Sequence, residues 1–308
     1  MRLKLKDLPE EDVFSSGHTA CAGCGAAMAI RNIAKVLGKD IVVYVPPSCL
    51  SVFNGLFPSC AWTVPYHHTV FENTGAAISG LSRAMKRKGL HHVTVVGIAG
   101  DGGTADIGLQ ALSGAAERNE DVIYICYDNE AYMNTGVQRS GSTPHGASTT
   151  TTPVGEVIKG NQDFKKDVPL IMMAHGVPYV ATASGSFPLD LINKVRRAKE
   201  MKGFRYIQVY SPCVPGWRYE QSKTVELGKL AVKCGMWMLM ECVNGRLTIN
   251  REPKMRDLGK YLKMQGRFRH MDDRQIAELR ESLEKKWMFY KGYAELTQQL
   301  IGVSENSA

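Results

Sequence analysis

The stretch that decides the fold of this 308-residue chain is residues 93–136, VTVVGIAGDGGTADIGLQALSGAAERNEDVIYICYDNEAYMNTG. It contains an apolar strand at 93–98, a Gly-Asp-Gly-Gly turn, a helix at 107–118 and a second apolar strand at 122–127. This order predicts two parallel strands joined by a crossover helix. Open parallel sheets bind ligands beyond the carboxyl ends of their strands, so we expect a site at residues 100–103.

The remaining sequence shows the same alternation of strands and helices. Its strands are near-continuous apolar runs, which predicts an α/β fold whose parallel sheet has helices on both faces. Further strands are expected at 41–45, 168–174, 177–181 and 206–210, helices at 26–37, 72–87 and 187–202, and loops at 13–25, 53–65 and 140–155.

Residues 223–308 have a different pattern. They contain a helix, a hairpin that turns at Asn244-Gly245, and charged helices over 274–300. We therefore expect a core domain at 1–222 and a C-terminal extension at 223–308, which packs on the core or on a partner subunit.

The composition is that of an ordinary soluble protein, with 44% hydrophobic and 22% charged residues. The net charge of +8 comes from Lys and Arg that are densest at 86–88, 165–166, 196–202 and 251–269. We interpret these groups as solvated surface charge or as a docking face for an acidic partner. None is interleaved with aromatic residues, so nucleic acid is not expected as a partner. Because no apolar leader or 18-residue apolar run is present, we expect a cytoplasmic protein outside the membrane.

The Gly-Asp-Gly-Gly turn combines features of a phosphate site and a metal site. Its glycines let the backbone approach a phosphate, and the helix that follows offers a positive dipole end. Asp101 adds a carboxylate, which suits Mg²⁺ better than a bare phosphate, and Asn129 follows the next strand. Taken alone the turn is weak evidence, because Gly-Asp-Gly is a common turn sequence.

Eight cysteines in a chain without a secretory leader indicate metal or redox chemistry rather than disulfides. Cys21 and Cys24 form a CxxC in a glycine-rich loop, while Cys49 and Cys213 each follow a predicted strand. Four such thiolates suit a [4Fe–4S] cluster, although their spacing alone leaves zinc open. The role of Cys60 also stays open. The other three are interpreted as buried inert thiols: Cys126, Cys234 and Cys242.

Residues 100–136 and the loop TPHGASTTTTPVG at 143–155 resemble the thiamine diphosphate signature. More specifically, they resemble the β subunits of pyruvate:ferredoxin oxidoreductase and related 2-oxoacid:ferredoxin oxidoreductases. The spacing of the four cysteines is similar to that of the proximal cluster ligands in the same family. The resemblance implies a thiamine diphosphate-binding α/β fold. One departure is Ala26, which stands where some members carry a Glu that touches the cofactor.

The resemblance also implies roles for individual residues. Asp101, Asn129 and the backbone carbonyl of Ala131 would hold Mg²⁺, and Asn134 would approach the thiazolium and the substrate as the catalytic residue. The cofactor-binding set is Cys49, Gly100, Asp101, Gly102, Gly103, Asn129, Ala131 and Asn134. The ligands of the [4Fe–4S] cluster would be Cys21, Cys24, Cys49 and Cys213.

The implied activity is oxidative decarboxylation of a 2-oxoacid, with pyruvate as the first choice of substrate. Electrons would pass through the proximal cluster to ferredoxin, and coenzyme A would be the usual co-substrate. Branched-chain 2-oxoacids and oxalate stay open, because the selecting residues lie largely on the partner in this family. The threonine loop favours the pyruvate type over the 2-oxoglutarate type.

The same resemblance implies an incomplete enzyme. The Glu that activates thiamine comes from another subunit in this family, and the C-x₂-C-x₂-C-x₃-C motif of the distal clusters is absent here. We therefore expect α-, γ- and δ-type partner subunits and no activity from the chain alone.

Two other classes of function remain as alternatives. One is half of a non-redox thiamine enzyme, such as a decarboxylase or a synthase of the acetolactate type, and the other is a zinc-stapled binding module. His67 and His68 could be ligands or proton shuttles, but neighbours on an extended segment point to opposite faces and are not expected to share a metal.

Overall fold

The computed structural model describes residues 2–305 and contains an eight-stranded sheet. The strands are β1 Ile41–Val45, β2 Tyr66–His68, β3 Thr94–Gly100, β4 Val122–Asp128, β5 Tyr179–Ser184, β6 Phe204–Tyr210, β7 Leu239–Val243 and β8 Arg246–Arg251. Their order across the sheet is β2-β1-β3-β4-β6-β5-β7-β8. The first six are parallel, while β7 runs antiparallel to β5 and β8 runs antiparallel to β7.

The helices connect the strands and continue beyond them. They are α1 Gly25–Leu37, α2 Cys49–Phe53, α3 Thr74–Arg87, α4 Asp101–Ala105, α5 Leu109–Glu117, α6 Val168–Ala174, α7 Pro188–Glu200, α8 Val214–Trp217, α9 Thr224–Cys234, α10 Leu258–Lys263 and α11 Asp273–Glu305. None of the helices in the described part of the chain is long and apolar enough to cross a membrane.

Neighbouring residues of the central strands supply two hydrophobic cores on opposite faces of the sheet. On one face, Ile123 and Ile125 of β4 belong to the core that includes α1 and α7. On the other face, Val122 and Tyr124 belong to the core that includes α3, α5, α6 and α11. Successive strand residues point to opposite faces, which is why one apolar strand serves both cores. The expected α/β fold with helices on both faces is confirmed.

The prediction of a strand at 168–174 is wrong, because these residues form α6. Their sequence, VPLIMMA, is a short apolar run whose period fits a helix as well as a strand. The Asp167 carboxylate caps the helix by accepting the Leu170 N–H at 3.2 Å, and Pro169 lies in the first turn. Both features favour a helix start.

Three short elements were not expected from the sequence. Residues 49–53 form α2, residues 66–68 form the edge strand β2, and the turn at 101–105 is itself a helical segment, α4. The helix expected at 107–118 is present as α5, which begins after Gly108. Consequently both Cys49 and Asp101 are the first residues of helices.

The C-terminal part shares the sheet with the rest of the chain. β7 and β8 form the expected hairpin with its turn at Asn244-Gly245, and they extend the sheet at one edge. A third core joins α9 and α10 to Tyr210, the last residue of β6, and to Trp217 in α8. Along the edge strand β8, the Leu247 N–H donates to Oγ1 of Thr297 in α11 at 3.1 Å. The division into a core at 1–222 and an extension at 223–308 stays a prediction. The strands β7 and β8 of that extension belong to the same sheet as the other six.

Candidate functional site

Four adjacent strands bring the expected site residues to one edge of the sheet. β1, β3, β4 and β6 are parallel neighbours, so their carboxyl ends lie side by side. Cys49 begins α2 after β1, Asp101 begins α4 after β3, and Asn129 follows β4. Cys213 follows β6 and immediately precedes α8. The arrangement is the edge at which open parallel sheets bind ligands.

Asp101 is a buried carboxylate that forms no ion pair with any described side chain. The residue is 1% exposed. Its Oδ2 accepts from the Ser140 hydroxyl at 2.5 Å, and its Oδ1 accepts from the Asn129 N–H at 3.3 Å. Burial, together with the nearby Asp128 carboxylate, raises the pKa of Asp101 well above its usual range. A buried carboxylate in this position requires a cation to be stable in its ionised form.

The Asn129 amide has two orientations at this point. With its Oδ1 turned inward, a group of three oxygens forms, in which that atom lies 2.9 Å from Oδ1 of Asp101 and 2.9 Å from the carbonyl oxygen of Ala131; after a half-turn, the amide nitrogen donates to both oxygens at the same distances. Such oxygens repel one another unless a cation lies among them or the amide turns its NH₂ group towards them. Mg²⁺ holds oxygens in an octahedron at about 2.0–2.1 Å, which places neighbouring ligand oxygens about 2.9 Å apart. The donor set and its spacing therefore fit Mg²⁺.

Next to this group lies a cluster of four charges, which we call the charge network: Asp128, Glu130, Lys165 and Arg267. Lys165 Nζ is 2.6 Å from Asp128 Oδ2 and 3.0 Å from Glu130 Oε1, and Arg267 Nη2 is 2.6 Å from Glu130 Oε2. Although burial acts to raise it, the charges of Lys165 and Arg267 lower the pKa of Glu130. Two acids and two bases pair within the network, so neither base forms an ion pair with Asp101, although the charge of Lys165 acts to lower its pKa.

The charge network also fixes the backbone that carries Asn129 and Ala131. Glu130, which lies between them, has φ of +67°, an uncommon value for a residue other than glycine. Arg267 lies 3.8 Å above the Trp217 ring, and the indole N–H of Trp217 donates to the Asn129 carbonyl at 2.8 Å. A residue from the C-terminal part thus holds the Asn129 segment in place through Glu130 and Trp217.

A cavity of about 270 Å³ opens in front of these oxygens, and we call it the Asp101 cavity. It is lined by all eight residues expected to bind the cofactor: Cys49, Gly100, Asp101, Gly102, Gly103, Asn129, Ala131 and Asn134. A Cβ at Gly102 would lie 2.3 Å from the Tyr132 ring, so only glycine fits there. Phe71 and Tyr132 also line this cavity, and the sequence had not identified either one.

A second cavity of about 320 Å³, which we call the cysteine cavity, lies beside the first. It is lined by the four expected cluster ligands: Cys21, Cys24, Cys49 and Cys213. All eight cysteines of the chain are free thiols. Within the described residues, no three His, Cys, Asp or Glu side chains are close enough together to hold a single metal ion.

Local structure explains how distant cysteines reach one cavity. Cys24 caps α1, and its Sγ accepts the Ala27 N–H at 3.5 Å. A Cβ at Gly25 would lie 2.7 Å from the Pro212 nitrogen, so glycine lets the CxxC loop contact the segment that carries Cys213. Burial raises the pKa of Cys49 and of Cys213 to about 12, so both are neutral thiols in the metal-free chain. Metal binding would release their protons.

The two cavities share one wall. It consists of Cys49, Val52, Asn129, Met133 and Asn134, each of which lines both cavities. Nδ2 of Asn129 lies 3.9 Å from Sγ of Cys49, so one side chain touches a residue of each set. Groups bound in the two cavities would be in direct proximity.

The residues left open by the sequence lie elsewhere. His67 and His68 belong to the edge strand β2 and are exposed, and the His67 ring packs at 4.8 Å from the Tyr44 ring. Cys60 accepts a long hydrogen bond from Asn54 Nδ2 at 3.8 Å. None of these residues lines either cavity.

Comparisons with known proteins agree with this geometry. Residues 49–209 match the family of the thiamine pyrophosphate enzymes, C-terminal TPP binding domain. Pyruvate synthase subunit PorB of Methanothermobacter thermautotrophicus is 53% identical over 278 residues, which are 90% of this chain and 96% of the relative. Ketoisovalerate oxidoreductase subunit VorB of Pyrococcus abyssi is 45% identical over 299 residues, or 94% and 96% of the two chains.

A solved structure supports the fold. The 2-oxoglutarate:ferredoxin oxidoreductase from Magnetococcus marinus, with 2-oxoglutarate, coenzyme A and succinyl-CoA bound, superposes with a TM-score of 0.56 at 23% identity. The match covers 74% of this chain and 80% of that one. Together, the matched domain and the extent of the sequence identity show that this chain belongs to the family of thiamine-dependent 2-oxoacid:ferredoxin oxidoreductases, as a β subunit of the PorB and VorB type.

Proposed function

We propose that this β subunit binds Mg²⁺–thiamine diphosphate in the Asp101 cavity and one [4Fe–4S] cluster in the cysteine cavity. The complex that it forms would oxidatively decarboxylate pyruvate. The observation that carries the proposal is Asp101, a buried carboxylate without an ion-pair partner among the described side chains and with the Asn129 amide close by, which also contacts the Ala131 carbonyl.

The metal would be held by Asp101, Asn129 and the Ala131 carbonyl. Because Lys165 and Arg267 already pair with Asp128 and Glu130, a divalent ion would give Asp101 the direct cation partner that no described side chain provides. Mg²⁺ takes its remaining ligands from phosphate and water, which explains why three protein oxygens suffice.

The cavity also suits the diphosphate group. Gly102 and Gly103 lie in the first turn of α4, where free backbone N–H groups face an anion and where small residues permit close approach. Tyr132, whose hydroxyl donates to Asp106 at 2.9 Å, lines the same cavity beside these glycines. Asn134 is exposed on the shared wall, where it can donate a hydrogen bond to a substrate. Bound thiamine diphosphate supplies the stabilisation of negative charge that decarboxylation requires.

The cysteine cavity would hold the electron acceptor. Four cysteines from three separate segments line it. Burial raises the pKa of Cys24 and of Cys213, and backbone N–H groups at the starts of α1 and α8 offset part of that rise. A cluster there would touch the shared wall, so electrons removed from the substrate would have a short path outward. We propose the cluster rather than zinc because the spacing of the four cysteines resembles that of the proximal cluster ligands in the family to which the chain belongs.

Partner subunits complete the proposed enzyme. The subunit names of the relatives, PorB and VorB, imply multi-subunit complexes. We propose that an α-type partner supplies the carboxylate that activates thiamine, that a further subunit supplies distal clusters, and that ferredoxin and coenzyme A act with the complex. Eight free thiols suit the reducing cytoplasm, which we propose as its location.

Pyruvate is the proposed substrate, and a branched-chain 2-oxoacid is the second candidate. The identity to a subunit named pyruvate synthase, 53%, exceeds the identity to a subunit named ketoisovalerate oxidoreductase, 45%. Oxalate remains a third candidate, because no observed side chain of this cavity distinguishes it from the other two.

The test is anaerobic copurification of the chain with its neighbouring subunits. We expect the β subunit, once separated from the complex, to contain four iron atoms per thiamine site. We expect the complex to reduce viologen in a 2-oxoacid-dependent reaction that is fastest with pyruvate plus coenzyme A. The chain alone should give no turnover. Thiamine binding without iron would instead indicate a non-redox thiamine enzyme, and zinc without thiamine binding would indicate a binding module.

A further inference from the structure

The Asn129 side chain contacts both cofactor sites at once. Resting on the function proposed above, we propose that the Asn129 amide couples the two sites: its oxygen binds the metal while its nitrogen donates a hydrogen bond to the Cys49 thiolate. Asn129 would then be a positioning residue through which occupancy and charge in one cavity change affinity in the other.

The distances support two orientations of this amide. In one, Oδ1 lies 2.9 Å from the Asp101 and Ala131 oxygens, and Nδ2 lies 3.9 Å from Cys49 Sγ. In the other, the nitrogen donates to both oxygens at 2.9 Å. The metal-free chain favours the second orientation, because the first brings three acceptors together. A metal ion favours the first.

The surroundings permit this rotation and little else. Asn129 is 5% exposed. Its backbone is held at both ends, since its N–H donates to Asp101 at 3.3 Å and its carbonyl accepts from Trp217 at 2.8 Å. A half-turn of the amide exchanges two atoms of similar size, so it needs no movement of the cavity wall.

The two cofactors favour the same orientation. A thiolate that binds iron accepts hydrogen bonds and cannot donate one, so a cluster on Cys49 attracts the amide nitrogen. The oxygen is then already turned towards the metal. Because the coupling is reciprocal, an electron added to the cluster should strengthen Mg²⁺–thiamine diphosphate binding. We expect the dissociation constant of the reduced complex to be about fivefold lower than that of the oxidised complex, which is at the lower end of usual coupling factors.

The test measures binding of Mg²⁺–thiamine diphosphate to the anaerobic complex, with its clusters oxidised or reduced by dithionite. Asn129→Asp keeps an oxygen for the metal and removes the N–H donor. Val52→Asp is the matched control, because Val52 is exposed, lines the same shared wall and belongs to neither binding set, so the variant adds the same charge at the same place. We expect the fivefold ratio in the wild type and in Val52→Asp, and a ratio near one in Asn129→Asp.

Two results would overturn the inference: a wild-type ratio of one, or a full ratio in Asn129→Asp. Both are read only in complexes that contain iron and bind thiamine, so they are distinct from failure of the proposed function. If Asn129→Asp does not assemble, side-chain amide ¹⁵N-labelled asparagine in the Asn134→Asp complex replaces it. Pulsed EPR of the reduced cluster should then detect ¹⁵N coupling that appears on adding Mg²⁺–thiamine diphosphate, and no such change would contradict the coupling.

Discussion

The Asp101 cavity and the cysteine cavity share a wall but are stabilised in different ways. Asp101 and Asn129 sit beside the charge network of Asp128, Glu130, Lys165 and Arg267, and most of these groups are buried and hydrogen-bonded. The cysteines sit on loops and helix starts, Cys21 is exposed, and no charged side chain of residues 2–305 bonds to them. The backbone and the buried charges of the oxygen site are therefore fixed before any cofactor arrives, and only the Asn129 amide has to turn, whereas the thiol site depends on backbone packing of separate segments.

The difference indicates which interactions each site can lose. A balanced set of buried charges fails severely when one member is removed, because its partner becomes an unpaired charge. A site built on close backbone contacts fails when an added atom separates the segments. Four substitutions test this contrast.

The largest effect is expected from Arg267→Met, which leaves Glu130 with only Lys165. Breaking a buried ion pair costs about 3–5 kcal/mol, and the Asn129 segment should lose order as well. The measurement is chemical denaturation of the metal-free chain. Lys260→Met is the control, since its ion pair with Glu226 at 3.0 Å is exposed and contributes little to stability. This variant should unfold at the same denaturant concentration as the wild type. Equal stabilities for the two variants would contradict the role of the charge network.

Asp101→Asn should weaken Mg²⁺–thiamine diphosphate binding more than about 100-fold, because a charged ligand is replaced by a neutral one. In the metal-free chain, by contrast, the same substitution should increase the free energy of unfolding. Burial raises the pKa of Asp101, so the wild type loses stability as the pH rises from the usual carboxyl pKa of about 4 towards the raised value. The stability of the variant relative to the wild type should therefore increase with pH over this range in thermal denaturation and be largest at its upper end. A metal-free variant less stable than the wild type at the upper pH would show that the carboxylate is structural.

Gly25→Ala should separate the CxxC loop from the Pro212 segment. The added Cβ would lie 2.7 Å from the Pro212 nitrogen, and overpacking of this kind costs about 1–3 kcal/mol. Iron content after anaerobic reconstitution should fall while thiamine binding changes little. Gly80→Ala in α3 is the control, since nothing lies within 4 Å of its Cβ, and it should stabilise by about 0.5–1 kcal/mol. Parallel loss of iron and thiamine would argue against separate support for the two sites.

The smallest effect is expected from Ser140→Ala, about a tenfold loss of Mg²⁺–thiamine diphosphate affinity. The Ser140 hydroxyl donates to Asp101 at 2.5 Å and opposes the rise in its pKa, so its removal favours the protonated acid. The loss should grow as the pH falls towards the raised pKa of Asp101. Ser142→Ala is the control, because that buried hydroxyl has no partner among the described residues. A loss independent of pH would contradict this explanation.

Much of this arrangement was predictable from local sequence. The apolar strands at 93–98 and 122–127, with glycines between them, fix a parallel pair whose carboxyl ends carry Asp101 and Asn129. Cys49 and Cys213 could be assigned to the same edge because each directly follows a strand. The resemblance added the identity of the cofactors, which spacing alone left open between a cluster and zinc.

The charge network was not predictable, because its pairs form across the fold. Lys165 and Arg267 belong to basic groups that composition assigns to the surface, yet both lie against Glu130, and Arg267 is 137 positions away from it. Their positions depend on how the segment after α10 and the segment before α6 pack against Glu130, which no local pattern encodes. The α6 error has a similar cause, since an apolar run of seven residues does not by itself distinguish a helix from a strand.

The contact between α11 and β8 has a consequence for the subunit before it assembles. An open sheet has edge strands whose free backbone groups can pair with other chains and start aggregation. At β8, the hydroxyl of Thr297 occupies the Leu247 N–H, and the helix covers the strand. At the opposite edge, β2 is only three residues long. An unassembled β subunit thus exposes few free backbone groups with which another chain could pair. Truncation of α11 should therefore promote fibrous or amorphous aggregates.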